Sequence, residues 1–279
     1  MDKHFFLFGL GFSGRVIARR LTEAGWRVSG TTRSGEAVDL PGVEVLPFDR
    51  DHPLPEAALA GVSAVLSSVP PDTHGDPVLD VMGEALTRLA PAWIGYLSTT
   101  GVYGDHGGGW VDETTPVAPT LDRSRRRAEA EARWLARGGH AFRLAGIYGP
   151  GRSALDNARD GTGKRVVKPG QVFSRIHVDD IAQAVLASLA RPDPGRVYNL
   201  CDDDAAPPQE VVAHAYRLLG KEPPPEIPWD EAKGALSPMA LSFYADNKRV
   251  RNDRMKAELG VVLKYPSYRE GLRAILDGR

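Results

Sequence analysis

Glycine spacing gives the first sign of chemistry in this chain. Gly9-Leu10-Gly11-Phe12-Ser13-Gly14 is a G-x-G-x-x-G lying directly between the apolar run Phe5-Phe6-Leu7-Phe8 and a helical pattern of Val16, Ile17, Leu21 and Ala24. In that setting Gly9 permits a tight turn, Gly11 lets the backbone approach a pyrophosphate, and Gly14 lets the helix pack closely on the strand. The opening helical amides, at Phe12 and Ser13, add free N–H donors and the positive end of the helix dipole. The pattern predicts a bound dinucleotide. Discrimination among dinucleotides falls to the end of the next strand, where an acid would hold an unmodified ribose. Ser29-Gly30-Thr31-Thr32-Arg33-Ser34 offers no carboxylate there. Thr32, Arg33 and Ser34 can instead receive a 2′-phosphate through charge-assisted hydrogen bonds, so NADP is expected ahead of NAD.

These groups act only if strands and helices place them. The segments 26–31, 43–48, 62–69 and 93–98 read as further strands, with a sixth at 141–147. Asp76-Pro77 resembles a cap with proline at the first helical position, opening a helix through Leu79, Met82, Leu86 and Leu89. A second helix is expected at about 122–137. Beyond Pro150 the alternation weakens into a strand at 172–177, a helix at 178–190, a last strand at 197–200 and a helix at 209–219. Glu222-Pro223-Pro224-Pro225 predicts a rigid linker. Strands alternating with helices predict an α/β protein built on a doubly wound parallel Rossmann sheet. Residues 1–150 with 172–204 are assigned to the dinucleotide-binding domain, and 151–171 with 205–279 to a small substrate-binding region.

Composition narrows the partners. The chain has 279 residues, 42% hydrophobic and 25% charged, the mix of a soluble globular protein. Its 35 basic and 36 acidic residues give a net charge of −1, so no basic field gathers nucleic acid or a membrane surface. A lone cysteine, Cys201, forms no intrachain disulfide and no zinc cage, which fits a reducing compartment. Without a long apolar segment or a signal-peptide pattern, a cytoplasmic location is expected. The histidines show no H-E-x-x-H, so no metal is expected, and no G-x-S-x-G suggests a hydrolase.

Later motifs extend the reading. They are Tyr96-Leu97-Ser98-Thr99-Thr100-Gly101-Val102-Tyr103-Gly104 with Asp112-Glu113 and Pro116, and Phe142-Arg143-Leu144-Ala145-Gly146-Ile147-Tyr148-Gly149-Pro150-Gly151. Ile176-His177-Val178-Asp179-Asp180-Ile181-Ala182 and Val197-Tyr198-Asn199-Leu200 follow. In this order, over nearly the whole chain, they resemble an atypical extended short-chain dehydrogenase/reductase of the NAD-dependent epimerase/dehydratase type.

That resemblance implies hydride transfer on a nucleotide-sugar-like or related carbonyl or alcohol substrate. It implies a substrate-orienting hydroxyl at Thr99, and a cofactor bordered by Ser68 and Val69 with Asp49 at the adenine. It also implies a Tyr-x-x-x-Lys pair on the next helix, but Leu121 and Arg125 occupy those positions. Leucine transfers no proton; Arg125 stays charged and can hold a ribose hydroxyl or phosphate. Proton transfer then falls to loop groups: Tyr103, Asp105 and His106 after the fifth strand, and Tyr148 after the sixth. The family pairs through helices on the sheet, so a homodimer is a further expectation. Two functions stay open: an NADP-dependent oxidoreductase or epimerase/dehydratase with atypical proton transfer, and a non-catalytic NADP-binding redox sensor or interaction module.

Other patterns have plainer readings. Tyr244-Ala245-Asp246-Asn247-Lys248 repeats the Tyr-x-x-x-Lys spacing but lies far along the chain, so it is expected to be coincidental and Tyr244→Phe harmless. Gly161-Thr162-Gly163-Lys164-Arg165 lacks the full P-loop pattern and predicts a mobile loop, one that can cover a substrate phosphate. Arg123, Arg125, Arg126 and Arg127, with Glu129 and Glu131 at i+4, predict a solvated helix face.

Overall fold

The computed structural model describes residues 3–36 and 38–278. Its frame follows from strands whose side chains alternate between two apolar layers. In β1 (His4–Phe8), Phe5 and Leu7 enter one cluster while Phe6 and Phe8 enter another. A strand buried on both faces belongs inside a parallel sheet. β1 sits there, followed along the chain by β2 (Arg27–Thr32), β3 (Val43–Pro47), β4 (Ala64–Ser67), β5 (Trp93–Thr99), β6 (His140–Leu144) and β7 (Val197–Leu200). The spatial order is β7-β6-β5-β4-β1-β2-β3, parallel throughout. The winding reverses between β1 and β4, the switch point where doubly wound sheets open a crevice at their carboxyl ends.

Helices α1 (Phe12–Glu23), α2 (Pro77–Leu89), α3 (Asp122–Leu135) and α4 (Val178–Ala190) cover the sheet. α1 and α4 pack on the Phe5 and Leu7 face, and α2 and α3 on the Phe6 and Phe8 face. Asp76 caps α2 as its sequence predicts, accepting from the Leu79 amide at 2.9 Å. Its other carboxylate oxygen receives the Trp134 indole N–H at 2.7 Å and so ties α2 to α3.

The expected strand at 141–147 divides in two. β6 stops at Leu144, and Gly146–Tyr148 leaves the main sheet to pair in parallel with Arg175–His177. The turn lies between two amides: Ala145 N–H still bonds Leu200 O at 3.0 Å, whereas Gly146 N–H reaches Ser174 O at 3.1 Å. This departure carries Ile147 and Tyr148 out to the cleft. The strand expected at 172–177 is correspondingly confined to Arg175–His177.

The C-terminal region contains α5 (Pro208–Leu218), α6 (Pro238–Ala245), α7 (Asp253–Leu259) and α8 (Tyr268–Leu276). α5 and α8 share an apolar cluster with Tyr148, Leu155 and Ala158. Two short parallel pairs fasten this region. Arg165–Val167 joins Glu226–Pro228, and Trp110–Val111, after β5, joins Arg249–Val250. Arg165 donates to Pro224 O at 3.0 Å and to Glu226 at 2.6 Å, so it secures the proline stretch instead of covering a substrate. Among the described residues no helix is long and apolar enough to cross a membrane.

Candidate functional site

The glycine turn is clamped from both neighbouring strands. Gly9 sits at φ +95°, a left-handed conformation that glycine adopts without strain. Its amide donates to Thr31 Oγ1 of β2 at 3.0 Å, and its carbonyl receives the Ser68 hydroxyl, just beyond β4, at 2.7 Å. Val69 lies beside Ser68 against the same glycine. A Cβ on Gly14 would lie 2.3 Å from Gly9 O, so helix and strand touch only because it is absent. Gly11 differs: a Cβ there would meet nothing within 4 Å. No side chain caps α1, and the Phe12, Ser13 and Gly14 amides have no acceptor among the described residues. Open space in front of unpaired amides is what a diphosphate requires.

Beyond Thr32 at the end of β2, Arg33 and Ser34 are exposed. Ser34 Oγ accepts from the Glu36 amide at 3.4 Å, and no acid pairs with Arg33 among the described residues. Asp49, after β3, folds back on its own loop and accepts from the backbone amides of Asp51 and His52 and from the His52 ring. The His52 hydrogen bond holds its carboxyl below the usual range. Arg50 beside it grips Asp72 twice at 2.9 Å and Asp80 at 2.7 Å, and holds Asp72 at about 2. This pins the loop after β4 at the rim of the cleft.

A cavity of about 700 Å³ opens at the carboxyl ends of β5 and β6. One wall carries Thr99, Gly101, Leu121 at the N-cap of α3, and the α3 residues Ser124 and Arg127. Thr99 Oγ1 accepts from the Gly101 amide at 3.1 Å and keeps its own proton free for another acceptor. Arg127 lies over the Tyr96 ring, 5.2 Å from its centroid, and donates to Leu97 O. Arg125 is on a different face of α3. It is exposed, donates to Thr120 O and Asp122, and does not reach the cavity.

Tyr103 is also turned away from the cavity. Fully buried, it donates to Asn199 Oδ1 at 2.7 Å and accepts from Arg143 at 2.9 Å, and burial pushes its hydroxyl up to about 12. Arg143 grips Glu131 with bonds of 2.6 and 3.0 Å, and Glu131 receives the Ser98 hydroxyl at 2.5 Å. Glu131 is therefore a buried anion and not part of a solvated face, while Glu129 is exposed. The helical period accounts for this: Ser124, Arg127, Glu131 and Trp134 share one stripe, from which Arg125 is displaced.

The facing wall comes from remote sequence. Phe173, Arg175, Tyr244, Asp246 and Lys248 line the same cavity. Asp105 and His106 secure this wall and remain outside the cavity. Asp105 accepts from Asn247 N–H at 2.7 Å, and the His106 and Gly108 amides donate to Asn247 O. Asn247 also donates to Gly170 O and accepts from the Val172 amide, and Lys248 Nζ donates to Gly104 O at 2.7 Å. Tyr148 does line the cavity, its hydroxyl donating to Ser267 O at 3.3 Å and raised in pKa by burial.

No family model matches the chain. Protein YeeZ of Escherichia coli K12 is 31% identical over 284 residues, covering 93% of this chain and 95% of YeeZ. A conserved protein of unknown function from Silicibacter pomeroyi is 51% identical with TM-score 0.90, each chain being 99% covered. A Methylobacillus flagellatus protein classed with the NAD-dependent epimerase/dehydratases has TM-score 0.78 at 25% identity, over 100% of this chain and 99% of that one. This chain belongs to one family with YeeZ, and its likeness to the NAD-dependent epimerase/dehydratase marks it as an extended short-chain dehydrogenase/reductase. At the level of fold alone, dTDP-glucose 4,6-dehydratase of Bacillus anthracis, solved with NAD, aligns at TM-score 0.77 and 20% identity, over 98% of this chain and 95% of that one.

Within this short-chain dehydrogenase/reductase the glycine turn, Ser68, Val69 and Thr99 border the crevice, and Leu121 faces the cavity from the helix that follows β5. Arg127 and Thr31, not singled out from the sequence, are also in place. Stepping back along α3 from the apolar anchor Trp134 by helical turns reaches Arg127, so its position had a readable signal. Lys248 is marked only by its spacing from Tyr244, which reads as coincidental because only tertiary closure brings it to the cleft.

Proposed function

We propose that the chain is an NADP-dependent oxidoreductase or epimerase/dehydratase acting on a nucleotide-sugar-like or related carbonyl or alcohol substrate. The observation that carries this reading is the clamped turn at Gly9–Gly14, with open space at Gly11 and unpaired amides on α1. Those amides fit a diphosphate, and Arg33 with Ser34, free of a carboxylate partner among the described residues, fits a 2′-phosphate. A bound nicotinamide dinucleotide supplies two electrons and a hydrogen to a substrate carbon, or takes them from it. Thr99 orients the substrate oxygen through its hydroxyl. Arg123, Arg127, Arg175 and Lys248 against a single cavity acid, Asp246, favour a substrate bearing phosphate or carboxylate. Leu121, Ile147 and Phe173 give the cavity apolar surface that excludes water.

Leu121 supports the second reading, a non-catalytic NADP-binding sensor or interaction module, since it carries no proton to transfer. Calorimetry with NADPH and NADH, followed by isotope-labelled NADPH with a panel of nucleotide sugars, separates the two. NADPH binding at least tenfold tighter than NADH and label transfer to a panel member are the expected results. Tight binding without transfer selects the sensor, and no binding of either nucleotide rejects both.

A further inference from the structure

We propose that Tyr244, reaching into the cleft from α6, is the phenol that exchanges a proton with the reacting substrate oxygen. This rests on the oxidoreductase reading and names a catalytic group that the α3 position of Leu121 cannot supply. Tyr244 lines the same cavity as Thr99 and Leu121. Other phenols nearby are committed: Tyr103 is buried between Asn199 and Arg143, and Tyr148 donates to Ser267 O. The Tyr244 hydroxyl has no hydrogen-bond partner among the described residues.

Its ring is nevertheless held in place. Phe173 meets it edge-on at 5.4 Å, Trp229 lies at 5.0 Å, and Lys168 Nζ donates to the Tyr244 carbonyl at 2.5 Å. Immediately after it, Asp246 and Lys248 fasten the chain to Thr120 and Gly104, at the edge of the Thr99 wall. Tyr244 and Thr99 thus line one cavity from remote segments, so that a substrate filling it meets a phenol and a hydroxyl. Burial raises the Tyr244 pKa, against an opposing pull from Arg175, so the phenol carries its proton at neutral pH.

In the reducing direction the substrate carbonyl carbon gains a C–H bond with an electron pair from a reduced nicotinamide dinucleotide, which is oxidised. The carbonyl π pair moves to oxygen, the Tyr244 O–H bond breaks, and that proton forms the alcohol O–H. The phenolate regains a proton from water. A phenol with a raised pKa is still a stronger acid than the alcohol it makes.

The test compares wild type, Tyr244→Phe and Tyr244→Phe/Leu121→Tyr. NADPH binding is read by nucleotide fluorescence, and turnover on the panel substrate that wild type converts fastest. A third readout is the fluorine resonance of 3-fluorotyrosine placed at 244. We expect Tyr244→Phe to bind NADPH within about twofold of wild type and to lose kcat by about 10²–10³-fold, the usual worth of a general acid, with little change in KM. Adding Leu121→Tyr should restore at least about tenfold of that loss, a rescue that a purely structural role would not permit. UDP-glucose added to the NADPH complex should move the fluorine resonance. A Tyr244→Phe enzyme turning over at the wild-type rate, or a fluorine signal unmoved by UDP-glucose while NADPH is bound, overturns the proposal. Failure of wild type to bind NADPH overturns the cofactor reading instead.

Discussion

The nucleotide end of the cleft is shaped by one uninterrupted stretch, residues 9–14, clamped by Thr31 and Ser68, whereas the facing wall gathers Phe173 and the Tyr244–Lys248 stretch from separate segments. The glycine turn asks for small volume and a left-handed φ, properties of single residues that no distant partner has to confer. The facing wall asks for closure: Asn247 is useful only once Asp105, Gly170 and Val172 have come to meet it. Local requirements are spelled in residue type, and closure is spelled in contacts.

The largest expected effect lies beneath both regions. Glu131→Ala leaves Arg143 charged and unpaired inside the protein and should cost about 3–5 kcal/mol in chemical denaturation. Nucleotide turn and facing wall should fail together. If the wall melts first, the β5–β6–β7 end of the sheet that Arg143, Tyr103 and Asn199 tie together does not govern both regions.

Next is a pH effect at their junction. His177 packs 4.1 Å from the Tyr265 ring and 5.1 Å from Tyr148, and burial lowers it to about 4. The unfolded chain takes up a proton near 6.5 while the native ring stays neutral, so this stabilisation is present above about 6.5 and is lost as pH falls toward 4. Asp180, pushed up to about 6 by burial, acts with the opposite sign as pH rises from about 4. His177→Gln should flatten the acid limb of a denaturation series by about 2 kcal/mol relative to wild type.

Gly11→Ala then sharpens the contrast. With nothing within 4 Å of the new methyl group, thermal stability should hold while NADPH affinity falls at least about tenfold, or about 1.4 kcal/mol, by calorimetry. Gly14→Ala, crowding Gly9 O, should lose stability as well. Smallest is Asn247→Ala, which removes the bonds to Gly170 and Val172. It should cost about 1 kcal/mol in denaturation, with faster hydrogen exchange at residues 168–172 and unchanged NADPH affinity.

The strand-helix alternation and the turn at Gly9 were readable because both are periodic or local. Asp76-Pro77 marked the start of α2 for the same reason. The sixth strand ran too long on paper because apolar residues continue past Leu144 through Ala145 and Ile147, and only pairing with Ser174 shows where the chain leaves the sheet. Arg125 matched a spacing but not a face: helical geometry gave its neighbour Arg127 the cavity and left Arg125 in solvent. Tyr103 was close in sequence to Thr99 yet was drawn inward by Arg143 and Asn199, partners distant in the chain. Tyr244 is the reverse case, distant in sequence and facing the same cavity as Thr99.

The fastening of residues 246–248 onto the loop after β5 also orders events during synthesis. Domains tend to consolidate from the N-terminus as the ribosome releases them, yet here Met255, Leu259 and Val261 must emerge before the core around β1 and α1 is filled. A polypeptide halted before Lys248 would lack both the clasp onto Gly104 and the apolar plug of Met255, Leu259 and Val261, so the last stretch to emerge completes the core and the vessel together.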